Sequence, residues 1–101
     1  MVIEWLRITV PTARQKDYLA QDRLIWTATL ASQPGFLGKE VWRDPDSPEI
    51  LNLVIRWDSL AHWQAVPTSL LAATDAAFVA ALGEAFPVAL CTRYDVLAAP
   101  A

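Results

Sequence analysis

Two stretches of this chain, residues 2–10 (VIEWLRITV) and 50–57 (ILNLVIRW), are rich in β-branched and aromatic residues and apolar in both of their alternating sets. A strand with that pattern must be covered on both faces. This excludes a sheet with one wet side and demands helices on one face and a second cover on the other.

The remaining segments supply the helices. Thr12-Ala13-Arg14-Gln15 has the Ser/Thr-x-x-Glu/Gln form of a capping box. It predicts a helix over 13–31, in which Tyr18, Leu19, Ile25, Trp26 and Leu30 share one arc. Gln33-Pro34-Gly35 ends that helix. Residues 36–43 read as a second strand, the cluster 44–48 (DPDSP) as a turn, and 50–57 as a third strand antiparallel to the second. Asp58 or Ser59 caps a short helix through Ala65, Pro67 interrupts it, and a longer helix runs from Thr68 to Leu82 with Gly83 ending it. The last strand is 88–97, and 98–101 is expected to be a frayed tail. The order is β-α-β-β-α-β with the second helix broken. It predicts a single α+β, ferredoxin-like domain over residues 1–97.

Composition narrows the partners. Hydrophobic residues make up 54% of the 101 positions and charged ones 19%, which excludes a disordered segment. The formal charge of −3 argues against capture of nucleic acid or an anionic membrane surface. No run of 18 apolar residues spans a bilayer, and Glu4 and Arg7 interrupt the first apolar stretch where a signal peptide would need continuity. The cytoplasm is therefore the expected location. One cysteine allows no disulfide. One histidine and one cysteine give no metal set, and three glycines leave no phosphate-cradling loop, so no cofactor is expected.

Strand parity separates two faces. Val2, Glu4, Leu6, Ile8 and Val10, with Leu51, Leu53, Ile55 and Trp57 and with Val88, Leu90, Thr92, Tyr94 and Val96, form the nearly apolar set expected to meet the helices. The other set holds Ile3, Trp5, Asn52, Val54, Cys91 and Asp95 with three arginines, Arg7, Arg56 and Arg93. A buried arginine needs a partner, either Asp95 or an acid of a second subunit, or else it serves an anion or carbonyl pocket. The second cover is cheapest as another copy of the chain, so the expected state is a homodimer joined through its sheets by a two-fold contact.

Two acids fall on apolar helix arcs: Asp22 among Tyr18, Leu19, Ile25 and Trp26, and Asp75 among Leu71, Phe78, Val79 and Leu82. Each either pairs with an arginine or a tyrosine hydroxyl, faces a wet groove, or serves a site. Tyr18, Trp26, Trp57, Trp63, Phe78 and Tyr94 are expected in the sheet–helix layer. They either pack as core or leave an irregular cavity for a flat apolar ligand. His62 has the ordinary pKa of a general base but shares a short helix with Trp63, so one of the two points outward.

The run Arg56-Trp57-Asp58-Ser59 followed by His62-Trp63, the Gln33-Pro34-Gly35-Phe36 turn and the apolar first strand together resemble the antibiotic-biosynthesis-monooxygenase-like family of the dimeric α+β barrel superfamily. The likeness covers residues 2–97. Residues 34–42 (PGFLGKEVW) look closer still to a group of short uncharacterised proteins, mainly cyanobacterial. The resemblance implies a homodimer whose sheets build a central barrel, each subunit carrying a small-molecule cleft. Some members of the family oxidise aromatic polyketides with O₂ and neither metal nor flavin. Others cleave haem with an asparagine on strand one, a tryptophan on the short helix and a later histidine. Of that set only Trp63 has a counterpart here.

Two readings follow. In the first, a cofactor-independent oxygenase acts on a small aromatic or conjugated molecule: Asp22 or His62 takes the proton, Tyr18, Trp26, Trp63 and Tyr94 hold the ring, Asn52 or Arg56 stabilises an oxyanion, and Asp75 lines the site. In the second, the same cleft serves a non-catalytic binding or regulatory module.

Overall fold

The computed structural model describes residues 1–100. Strand β1 (Val2–Thr9) leads into a helical rod made of α1 (Thr12–Gln21), a π-helical segment (Asp22–Thr27) and α2 (Ala28–Ala31). A hairpin of β2 (Phe36–Asp44) and β3 (Ser47–Trp57) follows, then α3 (Leu60–Gln64), α4 (Thr68–Leu82) and β4 (Val88–Asp95). The strands pair antiparallel in the order β2-β3-β1-β4. This is the expected ferredoxin-like α+β arrangement, with its two most apolar strands in the centre. The tail expected at 98–101 includes Ala101, outside the described residues.

Local chemistry explains most boundaries. The Ser59 side chain accepts the His62 backbone N–H at 3.1 Å and starts α3. Gly83 ends α4 with φ +78, its N–H donating to the Val79 carbonyl at 2.8 Å. The capping box at Thr12 does not form: α1 starts after Pro11 without a side-chain cap. Gln15 is buried instead, donating to the carbonyls of Val10 at 3.0 Å and Pro48 at 2.6 Å. Those two bonds tie the helix to the ends of β1 and β3, and they outcompete a cap that would leave both carbonyls unpaired.

The core lies between sheet and helices in two clusters. One contains Ile8, Val10, Tyr18, Leu51, Leu53, Phe78 and Leu82, and the other Val2, Leu30, Ile55, Trp57 and Val66. Each fully buried large side chain contributes about 1.5–3 kcal/mol. Leu6 and Trp26 pack against both clusters and bridge them.

Strand β4 is reversed relative to the parity expectation. Leu6 pairs with Cys91 and Glu4 with Arg93, so these side chains share the helix-side row. Leu90, Thr92 and Tyr94 lie on the opposite face, with Arg7, Trp5 and Ile3 as their partners. A register shift between Arg7 and Ile8 returns Val88 to the helix side.

That opposite face is partly sealed within the chain. Trp5 makes edge contacts with Trp42 (centroids 5.1 Å apart) and Tyr94 (5.7 Å). Beneath this aromatic layer Val54 and Ile3 are buried. Trp5 Nε1 donates to Asn52 at 3.0 Å, Trp42 Nε1 donates to Glu40 at 2.8 Å, and Arg56 pairs with Glu40 at 2.9 Å. Within the chain the partner of Arg56 is thus Glu40, not Asp95.

The Gln33-Pro34-Gly35-Phe36 turn packs on the start of α3. Gly35 has φ +83, its carbonyl accepts the Asp58 N–H at 2.8 Å, and a Cβ there would collide with His62 Cβ and Asp58 Oδ1. The His62 ring pairs with Asp58 through Nδ1.

Candidate functional site

Helices and sheet do not close completely. A cavity of about 650 Å³ lies between the helical rod, α4 and the sheet, within the range of small-molecule sites. Its deep wall is made of Tyr18, Leu53, Ile55, Trp57 and Phe78, all buried. Trp26, Trp63 and Phe86 add half-buried rings. Asp75, Ala85, Pro87, Val88 and Cys91 are lining residues that are exposed, so the mouth opens between α4 and edge strand β4.

The rings meet edge to face. Tyr18 contacts Phe78 at 5.2 Å and Phe86 at 5.7 Å, with planes 82° and 83° apart. Such edge-to-face contacts stiffen the walls.

Polar groups are few and placed by the fold. Asp22 lies at the junction where α1 becomes π-helical, 2% exposed. Lys39 reaches it from β2, because Lys39 pairs with Ile55 and shares its helix-side row. The Lys39 ammonium donates to both Asp22 oxygens, at 2.8 and 2.7 Å. Burial pushes the Asp22 carboxyl above its ordinary range, and Lys39 pulls it back. Glu4, alone among the aliphatic side chains of its row on β1, accepts Trp57 Nε1 at 3.1 Å through Oε1. Burial raises its pKa as well, against the lowering effects of Trp57 and Lys39. The Tyr18 hydroxyl is pushed well above its normal value by burial and by the charges of Asp22 and Asp75, so it stays neutral. At the mouth, desolvation and the Glu4 charge raise the Cys91 thiol, which keeps it protonated rather than nucleophilic.

Among the residues singled out by sequence, the structure gathers Tyr18, Asp22, Trp26, Trp63 and Asp75 around this cavity. Asp75 lies at the rim rather than on the sheet side. Asn52, Arg56 and Tyr94 lie on the opposite face of the sheet, and the placement of Tyr94 in the sheet–helix layer is corrected by the pairing of β4. His62 is held by Asp58 and Ser59 outside the cavity lining, while its neighbour Trp63 points in. Asp22 pairs with Lys39, a partner outside the sequence alternatives of an arginine, a tyrosine hydroxyl, a wet groove or a site role.

Two charged lining residues, Glu4 and Lys39, are not among the sequence candidates. Glu4 carried a signal, a single acid in an aliphatic row. Lys39 carried only strand alternation, which needs the register of the hairpin before it means anything.

Comparisons with known proteins agree with this fold. The sequence model described as antibiotic biosynthesis monooxygenase matches residues 1–69. No curated protein matches the chain. Among solved structures, a Bordetella bronchiseptica protein provisionally described as an antibiotic biosynthesis monooxygenase superposes with a TM-score of 0.72 at 18% identity, covering 96% of this chain and 97% of that one. SnoaB of Streptomyces nogalater, a cofactor-independent oxygenase, gives 0.71 at 17% identity over 97% and 94%. The haem degrader MhuD of Mycobacterium tuberculosis, solved with two haems in its active site, gives 0.68 at 22% identity over the whole of both chains. At these identities the likenesses establish the fold. Among the described residues no helix is long and apolar enough to cross a membrane.

Proposed function

This chain belongs to the antibiotic biosynthesis monooxygenase family, and from that premise we propose that its cavity takes a small, flat, electron-rich aromatic molecule and supports its oxidation by O₂ without a cofactor. The observation that carries this reading is the aromatic-walled cavity of about 650 Å³ with Glu4 and the Asp22–Lys39 pair inside it. SnoaB, with the same fold, is described as a cofactor-independent oxygenase.

The groups divide the work. Glu4 uses Oε1 to accept Trp57, so Oε2 is the oxygen available to take a proton from an acidic ring C–H or hydroxyl. Both Asp22 oxygens are engaged by Lys39, so Asp22 serves to fix that ammonium. That pair is spent on itself, so negative charge developing on the substrate spreads over its own conjugated ring. Trp26, Trp63 and Tyr18 hold the ring and exclude water. The balance closes with oxygen alone: a ring CH₂ and O₂ become a C=O and H₂O, the two C–H bonds supplying the electrons.

The test is O₂ uptake by purified protein with an anthrone or a quinol. Rates above the buffer level that fall about 10²–10⁴-fold in Glu4→Gln support the reading. Rates at the buffer level for every compound reject it. Saturable quenching of tryptophan fluorescence without O₂ uptake would instead identify a non-catalytic binding module.

The aromatic face of the sheet opposite the helices is the proposed contact for a second copy of the chain. Trp42 is 41% exposed, Leu90 47% and Tyr94 52%. Such a patch of large apolar side chains suits a self-complementary contact. Light scattering at low micromolar concentration should give twice the 11.2 kDa of one chain; a single-chain mass rejects the dimer.

A further inference from the structure

The cavity carries an unequal set of charges. Glu4, Asp22 and Asp75 line it, against one cation, Lys39. Lys39 is consumed by Asp22, which it contacts through both oxygens while both side chains are 3% exposed. Two carboxylates are left, one inside and one at the mouth, so an entering molecule passes Asp75 and arrives at Glu4. Among the described residues, the only hydrogen bond to the Glu4 side chain comes from the neutral indole of Trp57. Arg93, opposite Glu4 across the β1–β4 pair, is exposed and does not line the cavity. Besides the neutral Tyr18 hydroxyl and Cys91 thiol, the other lining residues are apolar or aromatic, and an aromatic face attracts cations and repels anions.

We infer that the cavity sorts its ligands by charge, admitting neutral and cationic aromatic molecules and excluding carboxylated ones. The inference rests on the reading of this cavity as an aromatic-ligand site and specifies which aromatic ligands it takes. The physics has two parts. An incoming carboxylate loses its hydration among apolar walls without gaining a free cation, because breaking the Lys39–Asp22 pair would strand a buried acid. It also approaches two like charges at low dielectric. An ammonium group meets the reverse situation: Asp75 at the mouth or Glu4 inside accepts its N–H groups, and the indoles of Trp26 and Trp63 line the same cavity. A hydroxyl group falls between, donating to Glu4 without carrying charge. The haem degrader of the same fold was solved with haem, a dicarboxylate, in its site. The two cavities are therefore expected to differ in ligand charge despite their common frame.

The experiment uses the whole protein and three compounds with one ring: 1-naphthylmethanol, 1-naphthylmethylamine and 1-naphthoate, titrated by calorimetry at neutral pH. The expected result is binding of the alcohol, binding of the amine at least as tight, and naphthoate weaker than the alcohol by about tenfold or more. In the folded Glu4→Gln/Asp75→Asn double variant the gap between alcohol and naphthoate should shrink to about threefold or less. Naphthoate binding as tightly as the alcohol to the wild-type protein overturns the charge filter and leaves the aromatic site intact. An unchanged gap in a double variant with native circular dichroism overturns the assignment to these two carboxylates. Absence of binding by all three overturns the aromatic site itself and the filter with it.

Discussion

Lys39 Nζ lies 2.8 and 2.7 Å from the two carboxylate oxygens of Asp22, and each side chain is 3% exposed. A pair this deep depends on both members, because the survivor of any single substitution is a buried charge without a partner. Lys39→Met should therefore cost about 3–5 kcal/mol, and Asp22→Asn should be of similar size. The double variant should recover most of the loss. Urea midpoints of the three variants check this; single losses below about 1 kcal/mol would mean that the pair behaves like a solvated one.

Glu4 gives stability a definite pH dependence. Burial raises its folded-state pKa above the ordinary 4.5. The native chain then holds the proton over a window where the unfolded chain has lost it, so stability falls as pH rises through that window and levels off above it. Asp22 is shifted in the same direction and contributes its own part. Glu4→Gln should make the fall shallower without abolishing it. Unfolding free energies measured from about pH 4 to about pH 8 in both proteins decide the matter, and equal slopes would contradict it.

The two glycines with positive φ should respond differently to alanine. Gly83, at φ +78, has open space where a Cβ would go, so Gly83→Ala meets only the left-handed backbone penalty of about 1–2 kcal/mol. Gly35, at φ +83, has the same penalty and a collision with His62 and Asp58 as well. Its alanine variant should lose more than about 3 kcal/mol. Thermal midpoints of the two variants should separate clearly, and coincident midpoints would show that α3 yields to the added methyl.

The outer aromatic layer offers a mutation that spares the cavity. Trp42→Glu places a charge beside Glu40 on the proposed contact and removes an edge contact with Trp5. The expected outcome is a single-chain mass by light scattering, with the affinity of the cavity for naphthylmethanol retained. A dimer that survives this change would place its contact elsewhere.

Sequence reading reached the architecture because each element announced itself by a local signal: two-sided apolar strands, Ser59 before α3, Pro67 between the helices, Gly83 after α4. The signals failed where long-range pairing decides. On β4 the apolar row 90, 92, 94 was assigned to the helices, yet it faces the Trp5 layer, because both faces of this sheet bury apolar groups and alternation alone does not say which is which. The edge position leaves Cys91, Arg93 and Asp95 on the helix side without helix cover, so polar groups are tolerated there. At Asp22 the anomaly of an acid on an apolar arc was visible from spacing. The lysine that answers it comes from a strand 17 residues away and becomes visible only with the hairpin register. The π-helical segment has no signature in helical periodicity and was read as ordinary helix.

The knot formed by Gly35, Asp58, Ser59 and His62 lies outside the cavity, yet it coincides with the letters by which such chains recognise one another as kin. What it shows at Gly35 is steric fit, since a Cβ there would meet His62 and Asp58. A likeness carried by the knot therefore speaks for a shared chassis, and kinship of chemistry has to be sought at positions 4, 22, 39 and 75, which line the cavity.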